Sequence, residues 1–293
     1  MQVTSKGKSI EVEKGSRFQD IVPLFSDQEK YPLLLAKVGS KIYELHKKVP
    51  EEDCEIEWIT IQNRIGLQSY QRSAVFMLLK AFFHHCKGVK GFNVTIDYTL
   101  GGGFYGYISG EQKLTTELLS KVKSTMQDYV KAEMPIMKRN VSTEEARKLF
   151  HRLGMHSKEQ LFRFRMTSRV NIYSLGNFQD YFYGYMLLNT SYITKFDLFP
   201  YGNGFILLLP KEDNPGELAE FRPMDKLYQV QKSSSKWATE VGIKNIGALN
   251  QKIVSGDPDS LILMQEAFFE KQIGNMAMEI AKKKKRLVLI AGP

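Results

Sequence analysis

Cysteine is scarce in this chain: Cys54 and Cys86 are the two in 293 residues. Two thiols so far apart in sequence exclude a disulfide scaffold and fit a reducing cytosol, so a cytoplasmic location is expected. Long apolar runs are missing too. The longest, Phe205 to Pro210, is strand-sized and far short of the roughly 18 residues a membrane helix needs. The first residues do not read as a signal peptide, so no membrane partner is expected. Metal-ligand spacing is also wanting. His84, His85 and Cys86 are adjacent, so on a helix their side chains diverge by about 100° per residue instead of converging. His151 and His156 flank Gly154 near a helix end and read as surface or capping residues. No metal site is expected.

What is present is an ordinary globular composition, 43% apolar and 25% charged, in a chain long enough for two domains. The net charge of +9 is unevenly spread. Residues 1–61 hold 9 Lys/Arg against 11 Asp/Glu, whereas residues 120–170 hold 12 against 5. A basic surface of that density suits RNA or a nucleotide, and equally describes a solvated helical face rich in lysine. Arg163, Arg165 and Arg169 alternate with Phe162, Phe164 and Met166 around an expected strand. That spacing puts the arginines on one side, either for phosphate, RNA or carboxylate contact or as a wet strand face.

The opening residues 2–13 alternate apolar and polar positions about Lys6-Gly7-Lys8, which reads as a hairpin. Ser16 is an expected N-cap for a short helix limited by Pro23, and strands follow at Leu33 to Val38, Lys41 to Leu45 and Glu55 to Ile61. This is the element order of a ubiquitin-like β-grasp. The segments K-G-K-S-I-E-V-E, L-A-K-V-G-S-K-I-Y-E-L and E-I-E-W-I-T resemble a TGS domain, a module found at the front of threonyl-tRNA synthetases and some GTPases.

Residues 66–86 carry apolar side chains at three- and four-residue spacing and predict a long helix. Strands at Phe92 to Tyr98 and Phe104 to Ile108 enclose a glycine turn, Gly101 to Gly103. A helix capped near Thr115 runs to about Lys131, and a strand over Ile136 to Val141 leads to a helix start at Ser142. Tyr173, Phe178, Tyr181, Phe182, Tyr183, Tyr185 and Tyr192 are assigned mostly to the core of a sheet.

R-S-A-V-F-M-L-L, G-G-F-Y-G-Y and M-K-R-N-V-S-T-E-E-A resemble the second additional domain of threonyl-tRNA synthetase, in unbroken order over roughly residues 1–210. The resemblance implies an α+β editing-like fold. It also implies where an editing site would lie, since that family carries H-x-x-x-H on the helix and C-x-x-x-H on a later strand-loop. Matched position by position, these fall on Ser73, Met77, Met186 and Thr190. None of the four can serve as an imidazole base or a tight zinc ligand, so the pocket is expected to be vestigial and without catalytic residues. The cleft between the long helix and the tyrosine-rich stretch is still the expected pocket.

Helical segments follow at Ile243 to Val254 and Leu261 to Ala281, the second with one face built for docking, and a polar run, Lys232 to Lys236, precedes them. Leu287 to Ile290 read as a strand buried on both faces, with Gly292 placed as the first glycine of a phosphate loop. This arrangement resembles the front of a bacterial uridine kinase-like nucleoside kinase. That resemblance implies an ATP- and Mg-dependent parent enzyme making UMP, with its own C-terminal kinase domain as partner, and an inactive, cofactor-free regulatory region here. The other function weighed is a tRNA-binding or editing-like module. The expected divisions are 1–62 (TGS), 63–212 (editing-like), 213–285 (helical connector) and 286–293 (first strand of the kinase domain). An unpaired terminal strand also invites association, so a homodimer is an expected partner state.

Overall fold

A computed structural model describes residues 1–290, which form two compact units: residues 1–141 with 169–228, and residues 142–168 with 229 onward. Among the described residues no helix is long and apolar enough to cross a membrane.

The first unit opens with β1 (Gln2–Ser5) and β2 (Lys8–Glu11), paired antiparallel about the Lys6-Gly7 turn. α1 (Phe18–Phe25) follows, then β3 (Leu35–Val38), β4 (Lys41–Glu44) and β5 (Cys54–Ile59). The sheet order β2-β1-β5-β3-β4, with β1 and β5 parallel, is that of a β-grasp. α1 buries Phe18, Ile21 and Phe25 on the sheet, where Trp58 meets Phe25 at 5.7 Å and Phe18 edge-on at 6.4 Å between ring centroids. Two local expectations are corrected. The N-cap is Arg17, not Ser16, because the Asp20 carboxylate accepts from the Arg17 N–H at 2.8 Å. Pro23 lies inside the helix instead of ending it.

α2 (Arg64–Cys86) buries Leu67, Tyr70, Ala74, Met77, Leu78 and Phe82, among others, as a helix enclosed on most sides must. It packs with α3 (Thr116–Lys131) beside the antiparallel sheet β11-β12-β7-β6, made of β6 (Asn93–Leu100), β7 (Gly103–Ser109), β11 (Asp197–Tyr201) and β12 (Gly204–Leu208). The Thr115 hydroxyl accepts from the Leu118 N–H, as its sequence position predicts. A second sheet orders β10 (Phe178–Tyr181), β9 (Arg169–Leu175) and β8 (Ile136–Ser142). Together these elements make the mixed α+β fold that the editing-like resemblance implies. Of the aromatic stretch, Tyr173 and Phe178 are core, while Tyr183 stands 82% exposed.

The turn into α2 gives a first prediction. Gly66 lies so close to the preceding turn that an added Cβ would stand 2.0 Å from the Thr60 carbonyl oxygen. At an open helical site Gly→Ala is worth about 1 kcal/mol in propensity. Here Gly66→Ala is expected to cost ~1–3 kcal/mol instead, as overpacking does. The readout is a lower urea midpoint at unchanged m-value.

The second unit is helical: α4 (Thr143–Arg152), α5 (His156–Arg163), α6 (Asp225–Glu240, its last residues), α7 (Ile246–Val254) and α8 (Pro258–Lys282). Ser142 caps α4 by accepting from the Glu145 N–H at 3.1 Å. The polar run Lys232 to Lys236, expected to precede a helix, is helical throughout within α6, and Trp237 stacks on Phe268 of α8 at 5.1 Å. Leu287 to Ile290 form no strand among the described residues and are exposed, from 48% at Val288 to 96% at Ile290. A strand buried on both faces needs a neighbour on each edge, and the described sheets offer none there. Gly292 lies outside the described residues.

Candidate functional site

The four positions matched to the editing residues are all buried in the first unit. Ser73 and Met77 sit one turn apart on α2, Met186 and Thr190 on the segment after β10, and none is more than 1% exposed. The Ser73 hydroxyl donates to the Ser69 carbonyl at 2.8 Å and accepts from the Leu187 N–H at 2.9 Å, with the Met186 sulfur 3.8 Å away. Thr190 is occupied in the same way: its hydroxyl donates to the Tyr129 carbonyl and accepts from the Met134 N–H at 2.8 Å. A hydroxyl that already donates and accepts inside a packed core is a structural tie, not a nucleophile. The cleft expected between α2 and the tyrosine-rich stretch is closed at this point, where Ser73 meets Met186 and all four positions are buried.

One reason for the closure lies in the β-grasp. Glu44, at the end of β4, is 3% exposed and reaches the rim of this cluster. Its Oε1 accepts from the Tyr173 hydroxyl at 2.7 Å and from the Met186 N–H at 2.9 Å, and its Oε2 accepts from Lys138 at 2.9 Å. Burial, and then the Glu44 charge, push the Tyr173 phenol well above its ordinary pKa, so it stays a donor. Burial holds the neighbouring His46 imidazole below its usual value, against the pull of Glu44 3.8 Å away. Arg72 donates to the Tyr185 carbonyl and lies where a Cβ on Gly184 would come within 2.6 Å of its guanidinium, at a φ of +115° that favours glycine. Nothing in the sequence marks Glu44 except an acid inside an otherwise core-forming strand end, K-I-Y-E-L.

The arginine triplet is split. Arg163 ends α5, Arg165 lies in the following loop with its guanidinium 5.9 Å from the Phe162 ring centroid and its Nε donating to Thr167 Oγ1 at 3.0 Å, and Arg169 opens β9. Arg169 is tied to Asn140 through its side-chain and backbone oxygens. The expected strand through Arg163 and Arg165 gives way to a helix and a loop, where Phe162 is buried against Phe150 of α4 (rings 5.2 Å apart). A concavity of mixed charge lies instead on α4 and α5, where Arg147 is paired with Glu144 at 2.8 Å. A cavity of about 640 Å³ is lined by Glu145, Arg147, Lys148, His151, Arg152 and Glu159. His151 lies 3.0 Å and His156 3.7 Å from the Glu159 carboxylate, which hydrogen bonding to His151 holds below the ordinary range. The spacing of His156 and Glu159, i and i+3 on a helix, was the legible signal for this cluster. Among the described residues no group of three or more His, Cys, Asp or Glu could hold a metal ion.

A β-grasp followed by this α+β domain defines a class by fold, TGS plus editing-like, and the comparisons say which proteins the chain is similar to. No protein-family model matches the chain. Threonine–tRNA ligase 1 of Bacillus subtilis (strain 168) is 31% identical over 189 residues, 64% of this chain and 29% of the relative. The threonine–tRNA ligase of Oleidesulfovibrio alaskensis is 28% identical over 199 residues (68% and 30%). That of Thermotoga petrophila is 30% identical over 164 residues (56% and 25%). The chain spans about three-tenths of the length of the first of these relatives. It is homologous to the N-terminal region of threonine–tRNA ligases. This corrects the uridine kinase reading. The relatives are consistently threonine–tRNA ligases, and the one stretch that suggested a kinase, Leu287 to Gly292, forms no strand where it is described. The partner kinase domain loses its support with that reading.

Proposed function

We propose that this chain is a tRNA-binding module built on the editing-like region of threonine–tRNA ligases, with its hydrolytic site closed. In this reading residues 1–62 are the TGS domain, 63–212 the editing-like domain and 213–285 a helical connector, Ser73, Met77, Met186 and Thr190 are the lapsed editing positions, and no cofactor or metal is used. The observation that carries it is the pairing of that homology with a core in which all four positions are at most 1% exposed. Arg147, Lys148 and Arg152 at the concavity on α4 and α5 support an RNA-phosphate contact there, with Arg147 exchanging Glu144 for a phosphate.

Two measurements test this. Binding of bulk tRNA should weaken steeply with salt, and Arg147→Glu/Lys148→Glu/Arg152→Glu should weaken it by about tenfold or more and flatten the log–log salt slope by about 2–3. Incubation with mischarged tRNA should release amino acid no faster than buffer does. Salt-independent binding, or deacylation above background, would sink the proposal.

A further inference from the structure

α8 is a 25-residue helix with no buried residue. Its inward side is narrow: Leu261, Gln265, Phe268 and Gln272 are half-buried, and Phe268 meets Trp237 of α6. The docking face expected from the sequence, which combined Leu261 and Phe268 with Ile273, Met276 and Ile280, is thus two faces. The second runs roughly a quarter-turn round. Ile262, Phe269, Ile273, Met276 and Ile280 recur at intervals of seven, four, three and four, which keeps them within one narrow stripe of an α-helix. The first four are 55–61% exposed. An unpartnered stripe of this length on a soluble helix marks an interaction surface.

Its charges name the occupant. Between Asp257 and Glu270 the helix has four acids (Asp257, Asp259, Glu266 and Glu270) and no base, whereas Lys282 to Arg286 are five consecutive cations. We propose that α8 pairs antiparallel with α8 of a second copy of this chain. A two-fold axis level with Lys271 sets Phe269 opposite Ile273 and Ile262 opposite Ile280 of the second copy. The same register brings Asp259, in the first turn, level with Lys283 at the C-cap of its partner helix. A parallel pair would instead stack the two five-cation runs against each other. Coiled-coil pairing of this kind needs apolar residues along one seam and charges that select orientation; this helix carries the seam, acids in its first half, and Lys282 and Lys283 where it ends.

The test uses the full chain. Sedimentation equilibrium should give a reversible dimer, and Phe269→Glu/Ile273→Glu should weaken it by at least about tenfold. The helical circular dichroism should be unchanged, since both side chains are more than half exposed. Orientation is read by cysteine cross-linking in a Cys54→Ser background. Ile262→Cys mixed with Ile280→Cys should form a disulfide under mild oxidation, and Ile262→Cys alone should not, because antiparallel pairing holds its two copies about 27 Å apart. A monomer at every concentration, a dimer indifferent to the glutamates, or ready cross-linking of Ile262→Cys with itself would each overturn the proposal. Loss of the dimer on adding tRNA, with the stripe protected by the RNA, would overturn the choice of a second copy as its resident partner.

Discussion

Replacing Glu44 with alanine is expected to destabilise the first unit by about 3 kcal/mol, and to lower its melting temperature by roughly 6–12 °C. The size follows from what the carboxylate holds. Alanine strands the Met186 N–H and the largely buried Lys138 ammonium at once and leaves the Tyr173 hydroxyl only the Gly184 carbonyl, 2.8 Å away; an abandoned buried donor costs more than a made hydrogen bond returns. Glu44→Gln should cost less, about 1–2 kcal/mol, because an amide oxygen still accepts from Tyr173 and Met186 while the charge opposite Lys138 is lost. Urea unfolding measures both variants. A double-mutant cycle with Lys138→Met should return a coupling of about 1 kcal/mol or more. A cycle that closes near zero would mean that Lys138 is held by solvent, and that Glu44 acts through its two neutral donors.

Writing the imidazole back into α2 is expected to damage the protein without creating a hydrolase. Ser73→His places a ring where a hydroxyl with two hydrogen bonds fits, against Met186 and the Leu187 N–H. Overpacking and the lost acceptor together should cost about 2–4 kcal/mol. The quadruple change Ser73→His/Met77→His/Met186→Cys/Thr190→His supplies every group the editing chemistry requires, yet deacylation of mischarged tRNA should stay at background. The reacting ester and its water need a volume that the surrounding side chains fill, and Thr190→His also breaks the tie that binds Tyr129 to Met134. Hydrolysis by the refolded quadruple variant would show that the four side chains alone keep the site silent, and that the packing around them adapts.

Local signals accounted for most of the elements. The Lys6-Gly7 turn, the Thr115 and Ser142 caps and the apolar spacing of α2 act through a few neighbouring residues, and each lies where its pattern indicates. Errors arose where a distant contact outweighed the pattern. Arg163 and Arg165 alternate with apolar residues as a strand does, but Phe162 packs on Phe150 and the segment becomes a helix and a loop. Leu287 to Ile290 have strand composition and no sheet to join among the described residues. The kinase reading fell on that stretch, since four aliphatic residues and a glycine carry little information beside a homology that covers 64% of the chain.

By itself the sequence determined the β-grasp order, the α+β fold that follows it, and that Ser73, Met77, Met186 and Thr190 carry no imidazole or thiol. Residue type is a local fact, and a missing imidazole is missing in any fold. Only the tertiary structure decided that these four positions are buried, and that Glu44 arrives from 142 residues upstream to meet the Met186 N–H. It alone also divided the faces of α8, since periodicity reports that apolar residues share a side but not which side another helix has already covered.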